Sequence, residues 1–141
     1  MKNLALALAT TLFIAACSSG STVAPLPFTI NGAYSGTFSN TDGNQQGTAV
    51  INVSQLEIDD EVTGNGIFDI TVGSTSNVCL LNGTIENGTN NGSSATLTIA
   101  NANFQLAVSN DGNTLSGTYV VTEDTDICSN GTGSGTITLN R

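Results

Sequence analysis

At 141 residues, the chain has room for one domain with one core. It carries 2 Lys and Arg against 11 Asp and Glu, for a formal charge of −9, and has no histidine or tryptophan. Nucleic acid and anionic headgroups need basic neutralisation, so neither suits this balance. Histidine-based catalysis and histidine-rich metal sites are excluded outright.

Met1-Lys2 gives a positive start, and residues 4–16 are apolar apart from Thr10 and Thr11. Such a run falls short of the roughly 20 residues a membrane-spanning helix needs. It has the length and small-residue ending of a secretory signal. Ile14-Ala15-Ala16-Cys17 ends it with a branched aliphatic residue, two small residues and a cysteine. In this order the features resemble the lipobox leader of bacterial lipoproteins, and the resemblance covers the leader alone. It implies a signal peptide over residues 1–16, cleavage before Cys17, and lipidation of Cys17 by fatty acyl chains such as palmitate. It also implies a cell-envelope location, with Ser18 rather than Asp after the cysteine pointing to the outer membrane. One acyl chain binds marginally, at about 0.8 kcal/mol per buried methylene, whereas two or three on one residue form a lasting anchor. Residues 17–27 then read as the lipidated cysteine and a flexible tether, holding the domain within roughly 20 Å of the membrane.

Residues 28–141 form the expected domain, in which eight segments alternate apolar and polar residues: 28–39, 47–57, 61–73, 78–87, 94–102, 103–109, 114–123 and 133–140. In the first, Phe28, Ile30, Tyr34 and Phe38 share a face. The pattern returns in Gly66, Phe68, Ile70 and Val72, and in Leu115, Gly117, Tyr119 and Val121. Period two with Thr and Ser opposite marks half-buried antiparallel strands. Asp42-Gly43, Asn87-Gly88, Asn91-Gly92 and Asp111-Gly112 read as hairpin turns, because these residues tolerate positive φ.

A Ser-Gly-Thr-apolar unit repeats at Ser35, Ser116 and Ser134, and each places glycine on the inner face. Small closed barrels need tight coiling there, which a missing side chain permits. The expected fold is therefore all-β, an eight-stranded antiparallel up-and-down β-barrel; a two-sheet β-sandwich fits the same strands. An outer face of Thr, Ser, Asn and Asp disfavours a membrane-spanning barrel.

Export makes a Cys79–Cys128 disulfide the default. It closes a loop of about 50 residues and contributes around 4 kcal/mol on the chain-entropy account. Both cysteines fall at the same end of a meander. With the thiols paired and neither histidine nor a mature lysine present, no catalytic set is expected, and the chain reads as a non-enzyme. Asp59-Asp60-Glu61 and Glu123-Asp124-Asp126 read as solvated turn charges. No metal or cofactor is expected, since Asp42-Gly43-Asn44 and Asp124-Thr125-Asp126 do not fit a calcium loop.

Binding remains. Without Lys2 the eleven carboxylates face Arg141 alone, a side-chain charge of −10 that would steer a basic protein partner towards the surface. A small barrel can instead carry an apolar ligand at its mouth, with Tyr34, Phe38, Phe68, Phe104 and Tyr119 as the candidate pocket. In outline the barrel is similar to lipocalins and avidins, but lacks the Gly-x-Trp start of the first and the stacking tryptophans of the second. Its acidity is similar to that of the periplasmic lysozyme inhibitors, without their Tyr-x-Cys motif. The expected protein is a monomer, attached to the membrane through its N-terminal lipid, with a binding or structural role.

Overall fold

The structure, a computed structural model, describes residues 28–73, 78–122 and 133–141. The leader, Cys17, the tether, Cys128 and the Glu123-Asp124-Asp126 group lie outside those residues.

Eight strands follow in order: β1 (Gly32–Asn40), β2 (Gln45–Ser54), β3 (Thr63–Val72), β4 (Val78–Asn90), β5 (Ser94–Ile99), β6 (Ala102–Val108), β7 (Thr114–Val121) and β8 (Gly133–Asn140). Each pairs antiparallel with the next, and β1 pairs with β8 from Ser35↔Asn140 to Asn40↔Gly135. That last ladder closes the barrel and excludes the sandwich. Closure leaves no free edge to template aggregation.

Alternation sets the register. In β6, Ala102, Phe104, Leu106 and Val108 point inward while Asn103, Gln105 and Ala107 point out. A one-residue slip would put all four in water, at about 1.5–3 kcal/mol for each large side chain. The inner faces of the strands merge into one continuous core. The inward glycines are needed there: a Cβ on Gly36 would overlap the Thr138 carbonyl oxygen of the neighbouring strand.

Three local expectations are corrected. The first strand begins at Gly32 rather than residue 28, because Gly32 turns the chain at φ +104°. Asn87-Gly88 is a bulge inside β4, not a hairpin turn. Between Glu86↔Thr98 and Thr89↔Thr96 the strand carries one extra residue, with Asn87 at φ 52°. This frees the Gly88 carbonyl to accept from the Val62 amide at 2.9 Å, stitching the β2–β3 connection onto β4. Finally, β5 and β6 are joined by Ala100-Asn101, both at positive φ (48° and 65°), as a two-residue type I′ hairpin requires.

The two ends of the barrel differ. Residues 28–31 lie across the end that holds the connections after β2, β4 and β6. Ile30 is fully buried there, and its amide donates to Gln55 Oε1 at 3.2 Å. Gln55 is 2% exposed and Asn90 1%. The Asn90 amide group donates to Gln55 Oε1 and to the Phe28 carbonyl, both at 2.8 Å. Gln55 Nε2 donates to the Asp60 carbonyl at 3.1 Å. Each partner thus satisfies a group that would otherwise be buried unpaired. This end is plugged; the opposite end, the mouth, carries the connections after β1, β3, β5 and β7, two of which lie partly outside the described residues.

Candidate functional site

Inward positions near the mouth place one aromatic ring on each of four strands: Phe38 on β1, Phe68 on β3, Phe104 on β6 and Tyr119 on β7. They pack as a closed circuit. Phe38 meets Phe68 and Tyr119 edge-on at 6.1 and 6.0 Å, Phe68 stacks on Phe104 at 5.6 Å and 11°, and Phe104 leans on Tyr119 at 5.9 Å. Edge-to-face and offset pairs each add about 0.5–1.5 kcal/mol beyond area burial. The circuit fills the barrel and leaves an apolar cleft of about 50 Å³, which Ile70 and Leu81 also line. A cavity that holds one benzene is on the order of 150 Å³, and sites for drug-sized ligands run from about 300 Å³. The cleft therefore admits one slender group and no enclosed lipid.

Of the five residues expected to form a pocket, the structure brings together Phe38, Phe68, Phe104 and Tyr119. Tyr34 is elsewhere: it is fully buried towards the plugged end, and its hydroxyl donates to the Gly112 carbonyl at 2.7 Å. Tyr119 has no such partner. It is 7% exposed, and its buried hydroxyl makes no hydrogen bond. Burial pushes its pKa up to about 12, with a smaller contribution from the Asp42 charge. Gly135, opposite Tyr119 on β8, makes room for that hydroxyl; a Cβ there would come within 2.6 Å of it.

Gln45, at the start of β2, borders the cleft and also a second hollow of about 270 Å³ lined by Asn40, Asp42, Asn44, Val72 and Gly73. This hollow is polar and carries a carboxylate at the rim of an apolar cleft. Sequence reading missed it because Asp42-Gly43-Asn44-Gln45 signals only a turn; the register that brings Gln45 opposite Val72 is a tertiary fact.

Cys79 lies near the same rim, opposite Ile70 on β3, half-buried against the core and not without a partner. Cys128, its expected partner, is outside the described residues. Asp59-Asp60-Glu61 lies at the plugged end, where the Asp60 carboxylate accepts from the Glu57 amide at 3.1 Å. That is turn geometry. Among the described residues no group of three or more His, Cys, Asp or Glu side chains is placed to hold a metal ion.

The described residues define a closed eight-stranded barrel with a filled interior, a plugged end and an aromatic mouth. No protein-family model matches the chain, and no curated protein or solved structure matches it.

Proposed function

We propose that this chain is a lipid-anchored cell-envelope protein whose barrel is a non-catalytic module binding a basic protein partner at its surface. The observation that carries the reading is the filled interior. A carrier of apolar molecules needs a continuous cavity, and among the described residues the cleft beside the aromatic circuit is about 50 Å³. The outer surface is then what the protein offers, and its side-chain charge without the leader, eleven carboxylates against Arg141, favours a cationic partner. The one basic group of the barrel is already used: Arg141 donates to the Asn31 carbonyl at 3.0 Å at the plugged end.

Acyl chains on Cys17 hold the molecule to the membrane, and the outer membrane is the expected site. A Cys79–Cys128 disulfide would tie the β7–β8 connection to the mouth; the engagement of Cys79 supports it.

Crosslinking in intact envelopes, followed by association kinetics with the purified partner, tests the function. A basic partner whose on-rate falls steeply with ionic strength is expected. An acidic partner, or a rate insensitive to salt, would overturn the reading. Mass spectrometry of membrane-extracted protein should find acylated Cys17 at the N-terminus and Cys79 bonded to Cys128.

A further inference from the structure

We infer that Asn87 is the barrel's built-in site of spontaneous modification. In the folded protein its side chain cyclises onto the Gly88 nitrogen, and loses ammonia, faster than that of any other described Asn-Gly pair.

The reaction needs only the chain and water. The Gly88 backbone nitrogen attacks Asn87 Cγ; a C–N bond forms, and the Cγ–Nδ2 bond breaks to release ammonia. The succinimide ring left behind takes up one water at either of its carbonyls. One opening gives aspartate. The other gives iso-aspartate, in which the main chain runs through the side-chain methylene. Nothing is oxidised or reduced. Glycine as the following residue favours the attack, because no Cβ shields the nitrogen or restrains rotation of the peptide.

The sequence does not choose the site. Among the described residues the pair occurs at Asn31, Asn65, Asn82, Asn87 and Asn91. Attack requires a side chain free to turn onto its own backbone, and a backbone not held in a ladder. Asn31 fails the first requirement: Nδ2 donates to the Gln55 carbonyl at 2.6 Å, and Oδ1 accepts from the Gln55 amide at 2.8 Å. Asn91 fails it too, since its Oδ1 accepts from the Ser93 and Ser94 amides at 3.1 and 2.9 Å. Asn65 and Asn82 fail the second. Asn65 is paired on both sides, with Asn52 and Thr84, and Asn82 lies opposite Ile67 in the unbroken β3–β4 ladder.

Asn87 meets both requirements. It is exposed, and its amide group has no hydrogen-bond partner among the described residues. It lies in the bulge between Glu86↔Thr98 and Thr89↔Thr96, outside the paired register, at φ 52°. The neighbouring stitch from Val62 uses the Gly88 carbonyl oxygen and not the attacking nitrogen. The fold also explains why so reactive a pair stands here. A Cβ on residue 88 would overlap the Val62 carbonyl oxygen, so only glycine fits. Asparagine, in turn, is one of the few residues that tolerate the positive φ before it.

The two products differ in effect. Aspartate keeps the backbone length and adds one negative charge. Iso-aspartate lengthens the main chain by one atom just before Gly88, and so displaces the carbonyl that holds the Val62 amide at 2.9 Å.

The test ages the purified full-length protein at pH 8, beside a sample unfolded in urea, and maps both by pepsin digestion and mass spectrometry. In the folded protein, deamidation at Asn87 should run at least fivefold faster than at Asn31, Asn65, Asn82 or Asn91. In urea only the shared dipeptide counts, and the rates should converge. Asn87→Gly, which keeps the positive φ without strain, should abolish the fast product while the Tyr34 NMR signals show an intact barrel. Amide exchange at Val62 should quicken at least fivefold in the isolated iso-aspartyl form and keep its wild-type rate in Asn87→Asp. Any of the other four sites matching Asn87 in the folded protein, or the same ranking persisting in urea, would overturn the inference. An unchanged Val62 rate in the iso-aspartyl form would overturn its structural consequence.

Discussion

Replacing Tyr119 by Phe removes one oxygen and leaves every ring contact in place. The ring packs on Phe38 at 6.0 Å and on Phe104 at 5.9 Å, and neither contact uses the hydroxyl. What disappears is a buried polar atom with no partner, a deficit of about 1–3 kcal/mol. Tyr119→Phe should therefore stabilise the barrel at pH 7 by about 1 kcal/mol, on the order of 4 °C in Tm for a domain of this size. The effect should grow in alkali. An unfolded tyrosine releases its proton near pH 10, whereas burial holds that of Tyr119 to about 12. Between these values the native state binds a proton that the unfolded state has lost, so native stability falls as pH rises. Two units at about 1.4 kcal/mol each would give about 2–3 kcal/mol for a fully desolvated phenol, and solvent screening brings the expected loss by pH 12 to about 1–2 kcal/mol. The phenylalanine variant lacks that loss. Urea unfolding of both proteins at pH 7, 10, 11 and 12 reads the difference directly. A variant less stable than wild type at pH 7, or a difference that stays flat from pH 10 to 12, would refute the claim that the hydroxyl is buried and unbonded.

Gln55→Ala should cost about 2–4 kcal/mol, because the Ile30 amide and an Asn90 N–H lose their shared acceptor in the plugged end; a drop in the urea midpoint at constant slope measures it. Ala100→Gly should stabilise by about 0.5–1 kcal/mol, since alanine is held at φ 48° in the β5–β6 turn and glycine is not strained there; a higher Tm is the readout. Asp111 accepts from the Ser109 hydroxyl at 2.5 Å and the Asn113 amide at 3.0 Å, which holds its carboxyl at about 2 instead of 3.8. Its support of the β6–β7 turn is thus complete above about pH 4 and is lost as pH falls through 2. A carboxyl ¹³C titration should find a midpoint near 2, and Ser109→Ala should move it back up.

The barrel was legible because period-two alternation and the inward glycines are both local signals. Phe28, Ile30, Tyr34 and Phe38 illustrate the limit of such signals. All four fit one face of one strand, yet Gly32 breaks the strand, Ile30 plugs an end, and Tyr34 and Phe38 serve opposite halves of the interior. Alternation reports which side of a sheet a residue faces. It says nothing of depth along the barrel, which depends on register summed around all the strands. Asn87-Gly88 failed for a related reason, since a residue pair that tolerates positive φ serves a bulge as readily as a turn. Ala100-Asn101 failed in the other direction, as alanine gives no local warning of a turn. Gln55 and Asn90 carried no signal at all, being polar residues whose burial follows from a chain segment crossing the barrel end.

The two tyrosines show how the ends divide their roles. Both are inward, both sit in β-strands, and both hydroxyls are removed from solvent. At the plugged end the Tyr34 hydroxyl meets the Gly112 carbonyl at 2.7 Å, amid a network in which Gln55 and Asn90 also find partners. At the mouth the Tyr119 hydroxyl lies over a glycine with nothing to bond. If the mouth only had to close the barrel, phenylalanine would pack the same circuit and leave the domain more stable. The unpaired oxygen is therefore a net cost to the fold at this end of the barrel. Satisfied buried polar groups are concentrated at the plugged end, and the deficit sits at the end that holds the aromatic circuit. On this account Tyr119→Phe should raise Tm, whereas Tyr34→Phe, which strands the Gly112 carbonyl, should lower it; equal shifts of one sign would refute the contrast.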